Sequence, residues 1–180
     1  MSGNRAVFLD RDGVINKDRG YISRIDEFEY LNGAVNGLKI LNNMGFMLIV
    51  VTNQSGIARG YYTEEDYLKL DEWMKLDLIS KGVIITASYY CPHLPQGEVK
   101  KYAIECNCRK PKTEMFWKAA GEYRIDMDRS FAIGDNERDL CICNESGVKG
   151  ILLSQIINSP NYETAGSWED VIRIIRTCEH

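Results

Sequence analysis

Three aspartates stand where they could share a metal ion and carry out phosphoryl chemistry. Asp10 and Asp12 follow one short apolar run, and Asp135 follows another. Neighbouring carboxylates repel one another unless a cation binds them, and Mg²⁺ prefers oxygen ligands of this kind. Lys110 and Thr52 follow other predicted strands and, with backbone N–H groups, supply the donors that a phosphoryl group needs. These residue types indicate phosphoryl transfer on a divalent cation.

Other chemistries that act on phosphate esters are excluded by counting residues. The chain has two histidines, His93 and His180, which are too few for a two-histidine phosphatase or a Ser-His-Asp triad. No cysteine is followed by an arginine six positions later, so the loop of cysteine-nucleophile phosphatases is missing. The sequence has neither a Walker A motif nor a G-x-G-x-x-G run, which argues against a nucleotide-dependent kinase or dehydrogenase. An aspartate nucleophile remains.

A second group of ligands lies in one segment, residues 91–108. Cys91 and His93 are followed, after twelve residues, by Cys106 and Cys108. Three thiolates and one imidazole suit a closed tetrahedral Zn²⁺ site. Unligated cysteines in a reducing compartment are the alternative, but four ligands in one loop favour zinc. We expect a structural Zn²⁺ to order this loop and, with it, the two basic residues that follow.

These residues must be positioned by the strands and helices that the patterning predicts. Short apolar runs predict strands, and capping residues followed by apolar positions three or four apart predict helices. Their alternation indicates an α/β fold with a Rossmann-like parallel sheet sandwiched by helices, and such sheets bind ligands at the carboxyl ends of their strands. The predicted strands span 5–9, 46–51, 84–90, 130–133 and 150–153, and the predicted helices begin at Asn32, Thr63, Thr113, Asp135 and Ser167.

Length and charge bound the class of protein. The 180 residues fit a single domain, 1–180, with the loop 91–108 inserted after the third strand. A net charge of −4 without a basic tract argues against a nucleic-acid partner. The most apolar stretch, 46–51, is six residues long, so we expect no membrane span. The N-terminus lacks the apolar region of a secretory signal, which predicts a cytoplasmic protein. No apolar surface stripe is predicted, which favours a monomer.

Four signatures, in order along the chain, resemble those of the haloacid dehalogenase (HAD) superfamily. The resemblance spans about residues 5–153 and implies a HAD-like fold, here without room for a large cap domain. Each signature follows a predicted strand or the loop after one, which makes the set far more specific than a single D-x-D-G motif. The signatures lie at 8–16, 51–56, 108–111 and 134–139.

The resemblance implies a role for each residue of the phosphoryl site. Asp10 would be the nucleophile that forms an aspartyl-phosphate. Asp12 would protonate the leaving oxygen and then activate water, and its backbone carbonyl would bind Mg²⁺ together with Asp10 and Asp135. Asp139 would support the metal site from outside the ligand set. The lysine and threonine named above would neutralise charge on the transferring phosphoryl group.

The zinc loop narrows the resemblance to the histidinol-phosphate and heptose-bisphosphate phosphatases. The twelve-residue spacer and the segments 16–21 and 53–60 are most similar to the heptose-bisphosphate branch. This implies Mg²⁺-dependent hydrolysis of the 7-phosphate of a small molecule, D-glycero-D-manno-heptose 1,7-bisphosphate, on the route to nucleotide-activated heptose. Members often carry lysine where this chain has Asn136, which leaves the preferred anomer open. The implied substrate-binding residues are Asp18, Arg19, Gly20, Tyr21, Asn53, Gln54, Ser55, Arg109 and Asn136.

Two alternatives stay open. A histidinol-phosphate phosphatase would share the chemistry and would need acids against the substrate ammonium, for which Asp18, Asp26 and Glu27 are available. A catalytically silent, zinc-stabilised sugar-phosphate-binding module is the alternative from another class. The presence of the complete phosphoryl site at strand ends argues against that module.

Overall fold

The structure, a computed structural model, describes residues 3–155 and 159–179 and contains a six-stranded sheet. The spatial order is β3-β2-β1-β4-β5-β6, and every neighbouring pair is parallel. The predicted parallel α/β sheet is therefore confirmed. The histidine at position 180 lies outside the described residues. The strands are β1 (Ala6–Leu9), β2 (Met47–Asn53), β3 (Ile85–Cys91), β4 (Phe131–Gly134), β5 (Lys149–Leu153) and β6 (Glu163–Ala165).

Helices cover both faces of the sheet because each strand presents alternate side chains to opposite sides. Val7 and Leu9 of β1 belong to one apolar cluster, and Ala6 and Phe8 belong to the other. The first cluster includes side chains of three helices, α1 (Ala34–Asn43), α2 (Glu64–Ser80) and α4 (Trp168–Cys178). The second includes α3 (Glu114–Tyr123) and the 3₁₀ helix Glu137–Asn144.

The helix starts follow local capping chemistry. The Thr63 hydroxyl accepts a hydrogen bond from the Asp66 backbone N–H at 3.1 Å, and the Asp66 carboxylate accepts one from the Thr63 N–H at 2.8 Å, so the predicted capping box is present. The prediction that Asn32 caps α1 is wrong. Gly33 precedes the helix with a left-handed backbone (φ 80°) and no side-chain cap. Glycine adopts this conformation without the steric cost that a Cβ would add.

Two further elements differ from the sequence prediction. The helix predicted to begin at Asp135 is present over Glu137–Asn144 and is a 3₁₀ helix. Its residues 139–142 are all buried, so the one-sided apolar pattern of an amphipathic α-helix does not apply here. Strand β6 is not predicted because its three residues are too short for a periodic signal.

The outer face of α2 carries exposed apolar side chains. Leu68, Leu76 and Ile79 are each about half exposed. This face contradicts the absence of an apolar surface stripe on which the expectation of a monomer rests, so the oligomeric state stays a prediction. Among the residues that the structure describes, no helix combines the length and the apolar content that a membrane crossing requires.

Candidate active site

The carboxyl ends of β1, β2 and β4 meet at one edge of the sheet. Leu9 is paired with Val50 on one side and with Ile133 on the other. The Asp10 backbone N–H continues this ladder with a 3.0 Å hydrogen bond to the Ile133 carbonyl. Asp10, the end of β2 and the residues that follow β4 therefore share one crevice, as the sequence predicts from the parallel topology.

Three carboxylates converge in this crevice. Oxygen atoms of Asp10, Asp135 and Asp139 all lie within 4.8 Å of one another. Asp139 is predicted to act from outside the ligand set, yet its carboxylate lies inside the cluster. Gly13 makes room for the group, because a Cβ at this position would lie 2.2 Å from Asp135 Oδ2 and its φ of 84° favours glycine. The three aspartates, Asp10, Asp135 and Asp139, form what we call the carboxylate cluster.

Lys110 is the buried cation of this cluster. Its Nζ lies 3.0 Å from Asp10 Oδ1 and 2.7 Å from Asp139 Oδ1, and donates to the Val51 carbonyl at 2.7 Å. An ammonium has three protons, so these three acceptors use all of them. A phosphoryl oxygen must therefore replace one acceptor before Lys110 can donate to it. The Asn53 amide fixes the Lys110 backbone, accepting from its N–H and donating to its carbonyl, each at 3.0 Å.

The electrostatics of the cluster favour a bound cation. Burial raises the pKa of Asp10 to about 6, against the opposing effect of Lys110. Burial, together with the charges of Asp10 and Asp139, raises the pKa of Asp135 to about 7. Three ionised carboxylates against one ammonium leave two negative charges, and the ligand atoms are oxygens. The residues therefore fit Mg²⁺.

The Asp12 side chain lines the same cavity but is held by a separate set of donors. Its two oxygens accept hydrogen bonds from Arg11 Nη2 at 3.1 and 3.0 Å, from Asn16 Nδ2 at 2.9 Å and from Gln54 Nε2 at 3.1 Å. Sequence reasoning did not assign a function to Arg11 or Asn16. Their position inside the first signature was the only signal, since an arginine in a polar loop is normally expected to face solvent.

Thr52 is buried beside the same network. Its hydroxyl accepts from Gln54 Nε2 at 3.0 Å, and the Gln54 carbonyl accepts from Tyr62 Oη at 2.6 Å. Gln54 thus links Thr52 to Asp12 and orients both side chains. Because the Thr52 hydroxyl is the acceptor in the bond to Gln54, its own proton stays available for donation to a phosphoryl oxygen.

A cavity of about 350 Å³ contains the carboxylate cluster in its wall. Seven of the nine predicted substrate-binding residues line it, and so does Arg59, which the sequence places in a site loop without assigning it a contact. Tyr62 and Arg138 also line it, and sequence reasoning gave them no role. The Tyr21 ring packs edge-to-face on Tyr61 with centroids 4.8 Å apart, which joins two loops at the cavity. The seven predicted residues in the wall are Asp18, Gly20, Tyr21, Asn53, Gln54, Ser55 and Arg109.

Arg19 and Asn136 are the two predicted substrate residues that do not line the cavity. The Arg19 guanidinium forms an ion pair with Glu29, and both side chains are exposed. The Asn136 side chain accepts from the Arg138 backbone N–H at 3.1 Å and caps the 3₁₀ helix. Both side chains are therefore engaged outside the cavity wall.

The predicted zinc ligands form a compact group, which we call the Cys/His cluster. Cys108 Sγ lies 3.1 Å from Cys91 Sγ and 3.3 Å from Cys106 Sγ, and His93 Nδ1 lies 3.3 Å from Cys108 Sγ and 3.7 Å from Cys91 Sγ. The cysteines are free thiols, not disulfides. A tetrahedron with Zn–S bonds of about 2.3 Å has edges of about 3.8 Å, so these four atoms fit Zn²⁺ after a small expansion.

The loop that holds this cluster contacts the cavity wall. Arg109 Nη1 donates to the His93 carbonyl at 3.2 Å, and Tyr102 Oη donates to Glu64 at the start of α2 at 2.7 Å. The Val99 N–H donates to the Ala58 carbonyl at 2.9 Å. Arg109 therefore depends on the loop for its position, whereas Lys110 is held by Asn53 and the carboxylate cluster.

Comparison with known proteins gives consistent matches. A family model described as HAD-hydrolase-like matches residues 107–167. The D-glycero-β-D-manno-heptose-1,7-bisphosphate 7-phosphatase of Haemophilus ducreyi is 46% identical over 148 residues, which cover 82% of this chain and 81% of that protein. The protein of the same name from Escherichia coli K12 is 42% identical over 91% of this chain and 86% of its own. The crystal structure of D,D-heptose 1,7-bisphosphate phosphatase from B. bronchiseptica, complexed with magnesium and phosphate, superimposes with a TM-score of 0.81 at 26% identity and covers 96% of this chain and 98% of that one.

Proposed function

Because the chain belongs to the HAD-like family of D-glycero-β-D-manno-heptose-1,7-bisphosphate 7-phosphatases, we propose that it hydrolyses the 7-phosphate of this β-anomeric sugar. The observation that carries the proposal is the carboxylate cluster around Lys110, set in the wall of a cavity large enough for a small phosphorylated sugar. We choose the β anomer because the names of the relatives specify it. The product would be a heptose 1-phosphate for nucleotide activation.

The reaction has two displacement steps at phosphorus. An Asp10 carboxylate oxygen attacks and forms a bond to phosphorus, the bond to the sugar oxygen breaks, and the Asp12 carboxyl group gives its proton to that oxygen. Water then attacks phosphorus, its proton passes to the Asp12 carboxylate, and the bond to Asp10 breaks to release inorganic phosphate. The second step restores both aspartates to their starting states.

The cation and the buried donors stabilise charge on the phosphoryl group. Asp10, Asp135 and the Asp12 backbone carbonyl would hold Mg²⁺, with Asp139 beside them, and the ion would supply positive charge to the phosphoryl oxygens. When an Asp10 oxygen bonds to phosphorus it becomes a weaker acceptor, which frees one Lys110 proton for a phosphoryl oxygen. Asp139 and the Val51 carbonyl keep the ammonium in place during this exchange.

The cavity wall offers groups for the rest of the substrate. We assign the distal phosphate to Arg109, whose guanidinium lines the cavity and pairs with no carboxylate among the described residues. Asp18, Gly20 and Tyr21 would contact the sugar, and Asn53 and Ser55 would bind polar groups nearer the reacting phosphate. Arg19 and Asn136 are engaged elsewhere, so we give them no substrate contact.

The histidinol-phosphate alternative has less support. Of the three acids that it requires for the substrate ammonium, Asp18 lines the cavity, whereas Asp26 is exposed and paired with Arg24 and Glu27 is exposed beside it. The names of the relatives also favour the heptose substrate. We further propose a structural Zn²⁺ in the Cys/His cluster, which suits a reducing cytoplasm because its thiols must stay unoxidised.

Phosphate release tests the proposed function. The enzyme is assayed with Mg²⁺ on the α and β anomers of heptose 1,7-bisphosphate and on histidinol phosphate, with Asp10→Asn as the control. We expect the β anomer to be preferred and the activity to vanish in the variant. Turnover of histidinol phosphate alone would overturn the substrate, and silence on all three would overturn the enzymatic proposal.

A further inference from the structure

The Arg11 side chain is buried in the site but has no part in the steps above. It is 0% exposed, and its guanidinium is the group that contacts both oxygens of the Asp12 carboxylate. Arg11 Nη2 also donates to the Ile22 carbonyl at 2.9 Å. One guanidinium thus joins Asp12 to the segment that brings Asp18, Gly20 and Tyr21 to the cavity.

The far side of the guanidinium is also fixed. Its central carbon lies 5.6 Å from the centroid of the Tyr67 ring, within range of a cation–π contact. Its other terminal nitrogen, Nη1, is buried without a hydrogen-bond partner among the described residues. Burying a cation with one unpaired N–H is unfavourable. A buried, partly unpaired guanidinium beside the active site therefore calls for a functional explanation of its position.

We propose that Arg11 is a positioning residue that aims the Asp12 carboxyl group at the leaving oxygen and couples its orientation to the loop containing Ile22. The proposal rests on the role assigned to Asp12 under the proposed function. Asn16 and Gln54 hold one oxygen each, so the guanidinium is the group that fixes the plane of the carboxyl group.

Loss of Arg11 should slow the reaction only where the leaving oxygen needs a proton from Asp12. Proton transfer to the leaving oxygen depends on its distance and direction, and a displacement of about 1 Å costs up to about 100-fold in rate. Asp10 attack does not depend on Arg11, since no hydrogen bond or ion pair joins the two side chains in the part of the chain that the structure describes. A leaving group that departs as a stable anion needs no proton, so its release should be insensitive to the aim of Asp12.

The test compares two leaving groups in Arg11→Met and Arg11→Lys, with Asp12→Asn as the reference. The substrates are heptose 1,7-bisphosphate, which needs a proton on its leaving oxygen, and p-nitrophenyl phosphate, which does not. The ratio kcat/KM reports the steps up to leaving-group departure. We expect kcat/KM of Arg11→Met to fall about 10- to 100-fold on the sugar bisphosphate and less than about threefold on the aryl ester. We also expect a burst of nitrophenolate, because water activation by Asp12 slows as well.

A matched control separates positioning from folding. Arg5 also packs its guanidinium on an aromatic ring, at 4.5 Å from the Phe46 centroid, and pairs with Glu179 far from the cavity. Arg5→Met should change kcat/KM by the same factor on both substrates. If Arg11→Met does not fold, Arg11→Lys carries the test, because it keeps the charge but cannot reach both oxygens and Ile22 together.

The outcomes distinguish the inference from the function beneath it. A selective loss in Asp12→Asn but an equal loss on both substrates in the Arg11 variants would overturn the positioning role and leave the proposed function standing. An equal loss in Asp12→Asn itself would overturn the acid role of Asp12, and the positioning role with it. A selective loss in both supports the inference.

Discussion

The carboxylate cluster and the Cys/His cluster lie at the same edge of the sheet but are built in opposite ways. Asp10 follows β1, whereas Asp135 and Asp139 follow β4, so the carboxylate cluster joins distant parts of the sequence. The thiols and imidazole come from the single loop that follows β3. The first site is a product of the whole fold, and the second is local.

The two clusters also differ in how their charge is balanced. Lys110 provides a cation inside the carboxylate cluster, so part of the repulsion is relieved by the protein itself. Among the described residues, no lysine or arginine side chain donates to a sulfur atom of the Cys/His cluster, and burial raises the pKa of the Cys91 thiol. A thiolate at Cys91 therefore needs a bound cation such as a metal ion beside it. The comparison indicates that the fold pre-forms the carboxylate cluster, whereas the Cys/His cluster would depend on the proposed Zn²⁺.

Replacing Lys110 should break the pre-formed site and have the largest effect. Lys110→Met leaves the buried carboxylates of Asp10 and Asp139 without their cation, which should lower the free energy of unfolding by about 3–5 kcal/mol. Phosphate release should fall by at least about 1,000-fold. Urea unfolding and steady-state kinetics measure the two effects. Adding Asp139→Asn should recover part of the stability but none of the activity; a double variant as unstable as the single one would contradict the charge argument.

Removing zinc should affect the loop more than the chemistry. In Cys106→Ser, Arg109 loses the support of the His93 carbonyl, whereas Lys110 keeps its contacts with Asn53. We expect KM for the sugar bisphosphate to rise about tenfold, while kcat on p-nitrophenyl phosphate changes less than about threefold. Zinc content and thermal unfolding confirm that the metal is lost. A fall of kcat on the aryl ester equal to the rise of KM would show that the loop also holds Lys110, as the sequence alone predicts.

In the absence of Mg²⁺, the carboxylate cluster should make stability depend on pH in an unusual direction. The pKa of Asp135 is raised to about 7 and that of Asp10 to about 6, so the folded protein binds protons more tightly than the unfolded chain. Stability is then highest at low pH and is lost as pH rises through these values. We expect Tm without Mg²⁺ to fall between pH 5 and pH 8 on a scale of a few degrees, and added Mg²⁺ to raise Tm most at pH 8.

Asp135→Asn supplies the control for this pH dependence. The variant lacks one of the raised carboxyl groups, so its Tm should vary less with pH and respond less to Mg²⁺. A wild-type Tm that rises from pH 5 to pH 8 in the absence of Mg²⁺ would contradict the assigned pKa directions.

Two arginines give the smallest and most local contrast. Arg19→Ala should change KM less than about twofold, because the side chain is exposed and paired with Glu29. Arg109→Ala should raise KM at least about tenfold, because its guanidinium faces the cavity. Saturation kinetics on the sugar bisphosphate measure both. An equal rise of KM in the two variants would contradict this contrast. It would mean that Arg19 breaks its ion pair with Glu29 and binds the substrate.

The parts of the site that the sequence predicts are those set by backbone topology. Parallel strands end at one edge, so residues after β1, β2 and β4 had to meet, and Asp10, Thr52 and Asp135 do. The close spacing of the Cys/His ligands limited them to one loop. Both inferences need only the order of elements and the length of the chain between them.

The parts that the sequence does not predict depend on side-chain direction. Apart from its place in the first signature, nothing in the sequence distinguishes Arg11, which is buried against Asp12, from Arg19, which pairs with Glu29 at the surface. Asp139 lies among the carboxylates, where it pairs with Lys110 and accepts from the Asn136 N–H, and the helix pattern does not show that its side chain points there. Asn136 is a good capping residue as well as a candidate ligand, and the helix start takes its side chain.

Gly13 has a consequence for how this chain can evolve. Its φ is positive, and any Cβ would collide with the carboxylate of Asp135. No single substitution at position 13 escapes that collision, and moving Asp135 first would remove a ligand of the active site. If Asp135 binds the metal as proposed, each route to a different residue passes through a sequence of low activity, and we expect glycine at position 13 to mark the active descendants of the chain.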